Sequence, residues 1–476
     1  MNGPDDLALA LARAQGQRFF VKGLGIAVFS GILYGLYSAF VSGAQTTGPW
    51  LAWFGTDSGL TAFAQVYVLG MLACGLNDCL SAVWAVGLLA VKGKLADLKR
   101  SAASKPGLVM VACALVGGPI ANGAYLIALK MAGPAAAPIT ALCPVVGAVI
   151  GRVLFKQAIN ARMATGIAIC LTASLMIGST SFGAEAPPTM ALGLAIAFIA
   201  AVGWGVEGAI AGYGTVLIDY QVGITIRQLT AGIAGLGLFV PALCLTSGDA
   251  GLFGSLLGQA AGDGRSMALF AVAGLFSFLS FGLWYRGNSM CGTALGMACN
   301  GSYSFWTPLF CWLVLGLGFG QAGWAVAPIV WLAAPIMFVG LLMVAVNPLT
   351  LLTWRQSLFT DVVALTGESR SAPAPDAAGR PLPVNYAVLR HVARSGAASA
   401  DDVVAALAQS YRGRRSCQRA AVAESLAAAE KNGILEVRAV GLNAAGQVAL
   451  EYRPTASGRA MIARFIGLPE ELRPAA

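Results

Sequence analysis

Three ionisable residues lie inside long apolar segments of the sequence, where a charged group is costly. Asp78, Glu207 and Arg227 are surrounded by aliphatic and small residues, and Glu207 lies within the stretch GWGVEGAIAGYG. A charge inside a membrane costs roughly 2.5–3.5 kcal/mol on insertion scales, so each one requires a function or a partner. A carboxyl group in this setting could exchange a proton or hold a cation. These residues are the strongest candidates for a binding or proton-coupling site, and Glu207 is the favoured one.

Structural roles are the alternative for all three residues. Glu207 and Arg227 lie toward the same end of neighbouring segments, so they could form an internal ion pair. Asp78 could cap a break in a long helix or hydrogen bond to Asn77 and Ser81. The sequence leaves both alternatives open.

Few residues are suited to other kinds of chemistry. His391 is the only histidine, and nine of the ten cysteines fall within apolar segments, where cysteine behaves as a small hydrophobic residue. The sequence contains no CxxC pair, metal-ligand spacing, nucleophile–base pair or phosphate-binding loop. We therefore expect no enzyme activity, metal, cofactor or disulfide.

Membrane-spanning helices must position the three ionisable residues. The chain has 476 residues, of which 57% are hydrophobic and 11% charged, and its mean hydropathy is +0.74. An apolar helix needs about 20 residues to cross the hydrocarbon core. We predict an all-α polytopic membrane protein with ten transmembrane helices at residues 23–41, 62–90, 108–129, 135–155, 163–177, 190–217, 222–245, 267–284, 293–315 and 324–346.

Lysine and arginine residues gather in alternate loops. The predicted loop between the second and third spans is basic, as is the loop between the fourth and fifth, whereas the opposite loops are acidic or neutral. The positive-inside rule then places both termini, including the N-terminal segment 1–22, in the cytoplasm. This distribution predicts a multi-pass protein of the cytoplasmic membrane.

The ten predicted spans divide into two five-helix repeats, residues 23–178 and 190–346. The repeats share weak similarity, for example between GIAV from Gly25 and GLAI from Gly193. Because five is an odd number, the repeats have opposite topology. Inverted repeats that meet near the centre of the bilayer are typical of carriers that work by alternating access.

The stretch from Ala137, APITALCPVVGAVIGRVLFKQAINARMATGIAICLTASLMIG, resembles the end of an EamA-type repeat of the drug/metabolite transporter superfamily. The resemblance covers about residues 20–350. It rests on Pro144 followed by small and aliphatic residues, a short basic hairpin, and a last helix rich in Ala and Gly. It implies a carrier of a small metabolite.

Four uncharged residues lie on helices that would line the centre in that family's arrangement: Asn122, Asn300, Tyr303 and Trp306. If they face a cavity, these side chains would bind solute. If they face other helices, they would hold the helices together, at about 0.6 kcal/mol for each hydrogen bond. Both alternatives stay open.

The hydropathy falls after residue 346, and residues 347–383 form a predicted linker rich in Pro and Ala. Residues 384–466 then show the order helix, helix, helix, hairpin, helix, which is typical of a small α+β winged-helix domain, and a tail follows at 467–476. The phrase from Glu451, EYRPTASGRAMIARF, resembles the end of winged-helix domains of the MarR and PadR kind.

A basic cluster lies just before and at the start of the third predicted helix of this domain, at Arg412, Arg414, Arg415, Gln418 and Arg419. These side chains suit contacts to DNA phosphates and base edges. A basic patch beside a membrane would also bind anionic lipid head groups. A winged helix can equally dock another protein or form a homodimer.

Two functions follow as hypotheses. The first is a lipid-embedded carrier that moves a small solute, with proton coupling through the buried carboxyl groups and the winged helix as a cytosolic regulatory module. The second is a membrane-anchored ligand sensor whose winged helix binds DNA. The sequence does not identify the solute.

Overall fold

The computed structural model describes residues 4–147, 149, 161–179, 188–249, 251–321, 324–345, 363–364, 382–412, 414–443 and 446–468. The protein is mostly helical, at 80%, and contains a small, mainly antiparallel sheet. Six helices in these ranges are long and apolar enough to cross a membrane: Leu7–Ala44, Ala64–Val91, Lys105–Thr140, Met190–Gly208, Tyr220–Thr246 and Gly264–Cys291. Helices of this kind are typical of a multi-pass membrane protein.

The ten predicted spans are not confirmed. The predicted fifth and tenth spans are the shorter apolar helices Ala161–Ile177 and Pro328–Val344. The third span and the start of the fourth form one apolar run, which bends at Gly133, whose φ is 58°. The ninth is interrupted at Gly301 and Ser302, and residues 150–155 of the fourth lie outside the described ranges.

In the described ranges, the first half of the membrane part includes the helices α1 (Pro4–Ala44), α2 (Pro49–Trp53), α3 (Leu69–Val91), α4 (Leu95–Ala102), α5 (Lys105–Leu115), α6 (Gly123–Ala132), α7 (Ala136–Thr140) and α8 (Ala161–Gly178), and residues 143–147 are also helical. A π-helical turn, Val116–Asn122, joins α5 to α6. Pro119 lies within this turn and has no amide hydrogen to donate, which explains the local departure from α-helical hydrogen bonding.

In the described ranges, the second half contains the helices α9 (Met190–Leu217), α10 (Tyr220–Ala234), α11 (Val240–Thr246), α12 (Leu252–Gly262), α13 (Gly264–Cys291), α14 (Thr293–Asn300), α15 (Tyr303–Cys311) and α16 (Pro328–Ala345). Two further π-helical turns, Gly235–Phe239 and Trp312–Gly318, follow α10 and α15.

The helices of the two halves pack against each other in a regular pattern. α1 packs against α13, α14 and α15, and α9 packs against α5, α6 and α7. α3 packs against α10, and α8 against α16. If each predicted span is replaced by the span five positions away along the chain, for example the first by the sixth, each of these contacts becomes another contact of the same pattern.

The C-terminal part, called the tail domain here, contains four α-helices and three strands among its described residues: α17 (Val384–Ser395), β2 (Ala398–Ser399), α18 (Ala400–Leu407), α19 (Arg419–Lys431), β3 (Leu435–Leu442), β4 (Val448–Pro454) and α20 (Ala456–Phe465). β4 pairs antiparallel with both β2 and β3, and the short strand β1 (Val363–Ala364) pairs parallel with β3. A capping box between Ser399 and Asp402 is present at the start of α18.

The N-terminal segment and the tail domain are in contact. α1 is 41 residues long, which at 1.5 Å per residue is about 60 Å and roughly twice the thickness of the hydrocarbon core. Its N-terminal part therefore extends beyond the apolar region. There Ala8 and Ala12 pack against Val440 of β3.

Candidate functional site

Asp78 in α3 lies at the centre of a buried hydrogen-bonded group. Asn122 Nδ2 donates to Asp78 Oδ1 at 3.1 Å and to Oδ2 at 3.3 Å, and Asn77 Nδ2 donates to Oδ1 at 3.2 Å. Tyr37 OH donates to Asn122 Oδ1 at 3.1 Å. Asn77, Asp78 and Asn122 are all 0% exposed. In the described ranges no lysine or arginine forms an ion pair with Asp78, so its partners are neutral.

Glu207 and Arg227 form an ion pair in which both side chains are 0% exposed. Arg227 Nε donates to Glu207 Oε1 at 2.8 Å, and Tyr285 OH donates to the same oxygen at 3.2 Å. The guanidinium group also lies 3.8 Å above the ring centre of Phe281. The structure therefore contains the internal ion pair that was the structural alternative for these two residues.

The remaining donors of Arg227 are also used. Nη2 donates to the carbonyl oxygen of Gly117 at 3.0 Å, and Nη1 donates to Gln228 Oε1 at 3.0 Å. Gln228 Nε2 in turn donates to Ser81 Oγ at 2.6 Å, one turn along α3 from Asp78. The ion pair and the Asp78 group are therefore neighbours in the same core.

An aromatic cluster, defined as Tyr34, Tyr37, Tyr125, Trp204, Phe281 and Tyr303, lies beside both groups. Tyr34 is its central member, with ring centres between 4.5 Å (Tyr303) and 5.9 Å (Trp204) from the other five. Tyr37 connects the cluster to Asn122, and Phe281 connects it to Arg227. Aromatic rings at these separations pack favourably and present both apolar faces and hydroxyl groups.

The buried polar atoms that have no hydrogen-bond partner within the described chain include the hydroxyl oxygen of Tyr34 and Oδ1 of Asn77. Such atoms are rare in folded proteins because leaving one unpaired costs free energy. A hydroxyl donor and an amide acceptor at this place could bind a polar group of a solute or water.

The structure brings together five of the seven membrane residues predicted for the site: Asp78, Asn122, Glu207, Arg227 and Tyr303. Tyr303 OH donates to Thr140 Oγ1 at 3.1 Å. The other two predicted residues make different contacts.

Asn300 Nδ2 donates to Ser30 Oγ at 2.7 Å, which is the interhelical bond that the structural alternative describes. Trp306 is half-buried, stacks on Phe310 at 6.0 Å and lies against α1 at Gly35. These contacts join α1 to α14 and α15 and involve no member of the cluster.

The predicted site residues do not include Tyr34, Tyr37, Tyr125, Trp204 or Phe281, because an aromatic residue in an apolar segment does not by itself indicate which other rings it faces. A signal was present in α1, where Tyr34 and Tyr37 are three residues apart and so share one helix face. Tyrosine in the middle of a membrane span is unusual enough to mark a polar interior.

Two of the five residues predicted to bind nucleic acid in the tail domain form ion pairs. Arg414 Nη1 pairs with Asp97 Oδ1 of α4 at 3.0 Å, and Arg419 Nε pairs with Asp401 Oδ1 at 2.7 Å. Hydrogen bonding to Arg419 lowers the pKa of Asp401. Burial raises the pKa of Asp97, although Arg414 opposes that shift.

The other three predicted residues, Arg412, Arg415 and Gln418, are exposed. The helix that follows them, α19, packs against α13 of the membrane part. A duplex could therefore reach the free face of the basic cluster only beside the membrane helices.

Further contacts fix the tail domain at one end of the membrane helices. Arg286 Nη2 of α13 pairs with Glu424 Oε1 of α19 at 2.7 Å. Asn385 Nδ2 donates to the carbonyl oxygen of Leu217 at 2.9 Å, and a 2.9 Å hydrogen bond joins the hydroxyls of Ser104 and Tyr386. In the described ranges, no group of three or more His, Cys, Asp or Glu side chains could hold a metal ion.

No family model matches the chain, and no curated protein matches it. A solved structure described only as "Crystal structure of protein" is 17% identical to it. The match covers 69% of this chain and 98% of that chain, with a TM-score of 0.42.

Proposed function

We propose that the chain is a carrier of the drug/metabolite transporter kind, which moves a small solute across the cytoplasmic membrane by alternating access. In this proposal the aromatic cluster and its two polar groups form the solute site. The tail domain is a winged helix on the cytoplasmic face with a regulatory role. The observation that carries the proposal is a fully buried carboxyl group, Asp78, which accepts hydrogen bonds only from neutral groups, one of them Asn77, whose Oδ1 is unpaired.

Asp78 is the residue that we propose for proton coupling. An ionised carboxylate inside the membrane without a cationic partner is costly, so closure of the site to water favours its protonated form. Opening toward water favours release of the proton. The amide donors of Asn77 and Asn122 hold the carboxyl group in place in both states.

Glu207 has a different role in this proposal, because it is sealed against Arg227. A hydrogen-bonded guanidinium group stabilises the ionised carboxylate, so proton exchange would have to break a buried ion pair. We therefore transfer the coupling role that sequence favoured for Glu207 to Asp78. The ion pair fixes α9 against α10, and Tyr285 adds α13 to this contact.

The packing pattern supports two related halves. Pairing of the first predicted span with the eighth has its counterpart in the pairing of the sixth with the third. When each span is exchanged with the span five positions away, the pair of the second and seventh spans is converted into itself, and so is the pair of the fifth and tenth. Two similar units that share one central site can rock about it, which is the basis of alternating access.

The solute we propose has an apolar body and one polar group. The body would stack among the rings around Tyr34, and the polar group would pair with the Tyr34 hydroxyl. DNA binding by the tail domain is the weaker alternative, because Arg414 and Arg419 are already paired and α19 packs on α13.

Solute-driven proton movement tests the carrier. The purified full chain is placed in liposomes that enclose a pH-sensitive dye and is given organic cations, amino acids and nucleosides in turn. We expect at least one class to drive proton movement. Asp78→Asn should reduce it about 100-fold, the order of magnitude for loss of a proton-transfer group.

Asp57→Asn is the matched control, because Asp57 is an exposed carboxylate outside the core. This variant should behave as the unaltered protein does. Proton movement that survives Asp78→Asn would remove Asp78 from the mechanism. An unaltered chain that moves no solute from any of the three classes would count against the carrier.

A further inference from the structure

A cavity of about 360 Å³ lies where the tail domain meets the membrane helices. Its walls come from the residues after α3, the start of α10, the end of α13, and α17 and α19 of the tail domain. Six charged side chains line it: Lys92, Lys94, Arg286, Arg415, Asp219 and Glu424. Four of these are cations and two are carboxylates.

Both carboxylates are already paired. Asp219 Oδ2 accepts from Lys94 Nζ at 2.7 Å, and Glu424 Oε1 accepts from Arg286 Nη2 at 2.7 Å. This leaves Lys92 and Arg415, whose side chains have no ion pair or hydrogen bond within the described chain. Lys92 belongs to the membrane part and Arg415 to the tail domain.

Charges of both signs surround Lys92. Burial lowers its pKa, and the charges of Lys94 and Arg286 lower it further, although Asp219 and Glu424 oppose this. An anion bound in the cavity would raise the pKa of Lys92 and so oppose the effect of the neighbouring cations. The cavity is also large enough for more than a water molecule.

We propose that this junction cavity binds a phosphate monoester group, held between Lys92 of the membrane part and Arg415 of the tail domain. Two unpaired cations match a group that carries −1.5 to −2 charges near neutral pH better than they match a single carboxylate. Arginine suits phosphate through its fork of donors, and lysine suits it as a point charge. A soluble phosphorylated metabolite and the head group of phosphatidic acid share this chemistry.

A bound phosphate would contact both parts of the chain, so it would strengthen their association. This inference goes beyond transport and does not depend on it. Any ligand that binds only the docked arrangement shifts the equilibrium toward docking in proportion to its affinity.

Calorimetric titration with inorganic phosphate tests the site, using the full chain in nanodiscs of phosphatidylcholine. Chloride at the same ionic strength serves as the reference titrant. We expect phosphate to bind, and Lys92→Gln combined with Arg415→Gln to weaken binding about tenfold or more. Hydrogen exchange in α19 should slow when phosphate is added to the unaltered protein and not in this variant.

Lys99→Gln combined with Arg412→Gln is the matched control, since it removes one exposed cation from each part without touching the cavity. This control should bind phosphate as the unaltered protein does. Equal weakening by both double variants would show a general charge effect and overturn the proposal, as would absence of phosphate binding in the unaltered chain.

Nanodiscs that contain phosphatidic acid distinguish the two sources of the ligand. If the head group is the ligand, the lipid should slow exchange in α19 and weaken phosphate binding by competition. If a soluble metabolite is the ligand, phosphate should bind equally in both kinds of nanodisc. Either result supports a phosphate site.

Discussion

Two buried carboxyl groups in this protein have opposite surroundings. Glu207 has a guanidinium partner at 2.8 Å, whereas Asp78 accepts hydrogen bonds from amide groups at 3.1–3.3 Å. The first arrangement stabilises a fixed charge pair, and the second leaves the carboxyl group without a cationic partner. Residue type and hydropathy do not distinguish them, because both carboxylates are isolated acidic residues in apolar segments.

Removal of one partner of the ion pair should be far more harmful than removal of both. Glu207→Gln or Arg227→Met alone leaves an uncompensated buried charge, at a cost of about 3–5 kcal/mol in the free energy of unfolding. The two substitutions together remove both charges, so they should cost less than either single change. Thermal unfolding in detergent measures this, and additive losses would contradict the ion pair.

The π-helical turn Val116–Asn122 positions both polar groups. Asn122, at its end, donates to Asp78, and the carbonyl oxygen of Gly117 accepts from Arg227 at 3.0 Å and from Trp204 Nε1 at 2.9 Å. Turns of this kind are frequent at functional sites, where they direct groups inward that a regular helix would place elsewhere. The seven residues between α5 and α6 therefore supply hydrogen bonds that position the groups of the site.

Gly117→Ala should destabilise the core. A Cβ at this position would overlap the Glu207 carboxylate, so either the ion pair or the turn must shift. We expect a loss of about 1–3 kcal/mol in the free energy of unfolding, as for other overpacked cores. Gly87→Ala in α3 is the control, because a Cβ there meets nothing within 4 Å. Equal stability of the two variants would contradict the close packing at Gly117.

Some elements could be predicted from the sequence and others could not. Apolar segments, the capping box of α18 and the hairpin of β3 and β4 each depend on residues close together in the chain, so local pattern is sufficient. The bend at Gly133 and the break at Gly301 fall within continuous apolar sequence, where hydropathy does not indicate the end of a helix. The contact of Tyr34 with Trp204 depends on how two distant helices pack.

A buried histidine makes the stability of the tail domain depend on pH. His391, the only histidine in the chain, is 2% exposed in α17, and its burial lowers its pKa. The unfolded tail domain takes up a proton near pH 6.5, whereas the folded domain does so only at lower pH. Its stability therefore falls as the pH drops below about 6.5, until the pKa of the folded state is passed.

Substitution of this histidine should flatten the acid response. Hydrogen exchange of the α17 amides in the full chain, from about pH 7.5 to about pH 5.5 and corrected for intrinsic exchange rates, measures opening of the tail domain. We expect His391→Gln to lose less protection on acidification than the unaltered protein. The same loss in both proteins would assign the response to other groups.

The tail domain holds one charged residue from each half of the membrane part. Arg414 pairs with Asp97, which follows the second predicted span, and Glu424 pairs with Arg286 at the end of the eighth. If the halves separate on this side during the proposed transport cycle, one of these pairs would have to break, so the domain would slow opening. Both pairs are partly exposed, and dissolved salt weakens such pairs. Opening would then become easier as the salt concentration of the surrounding solution rises.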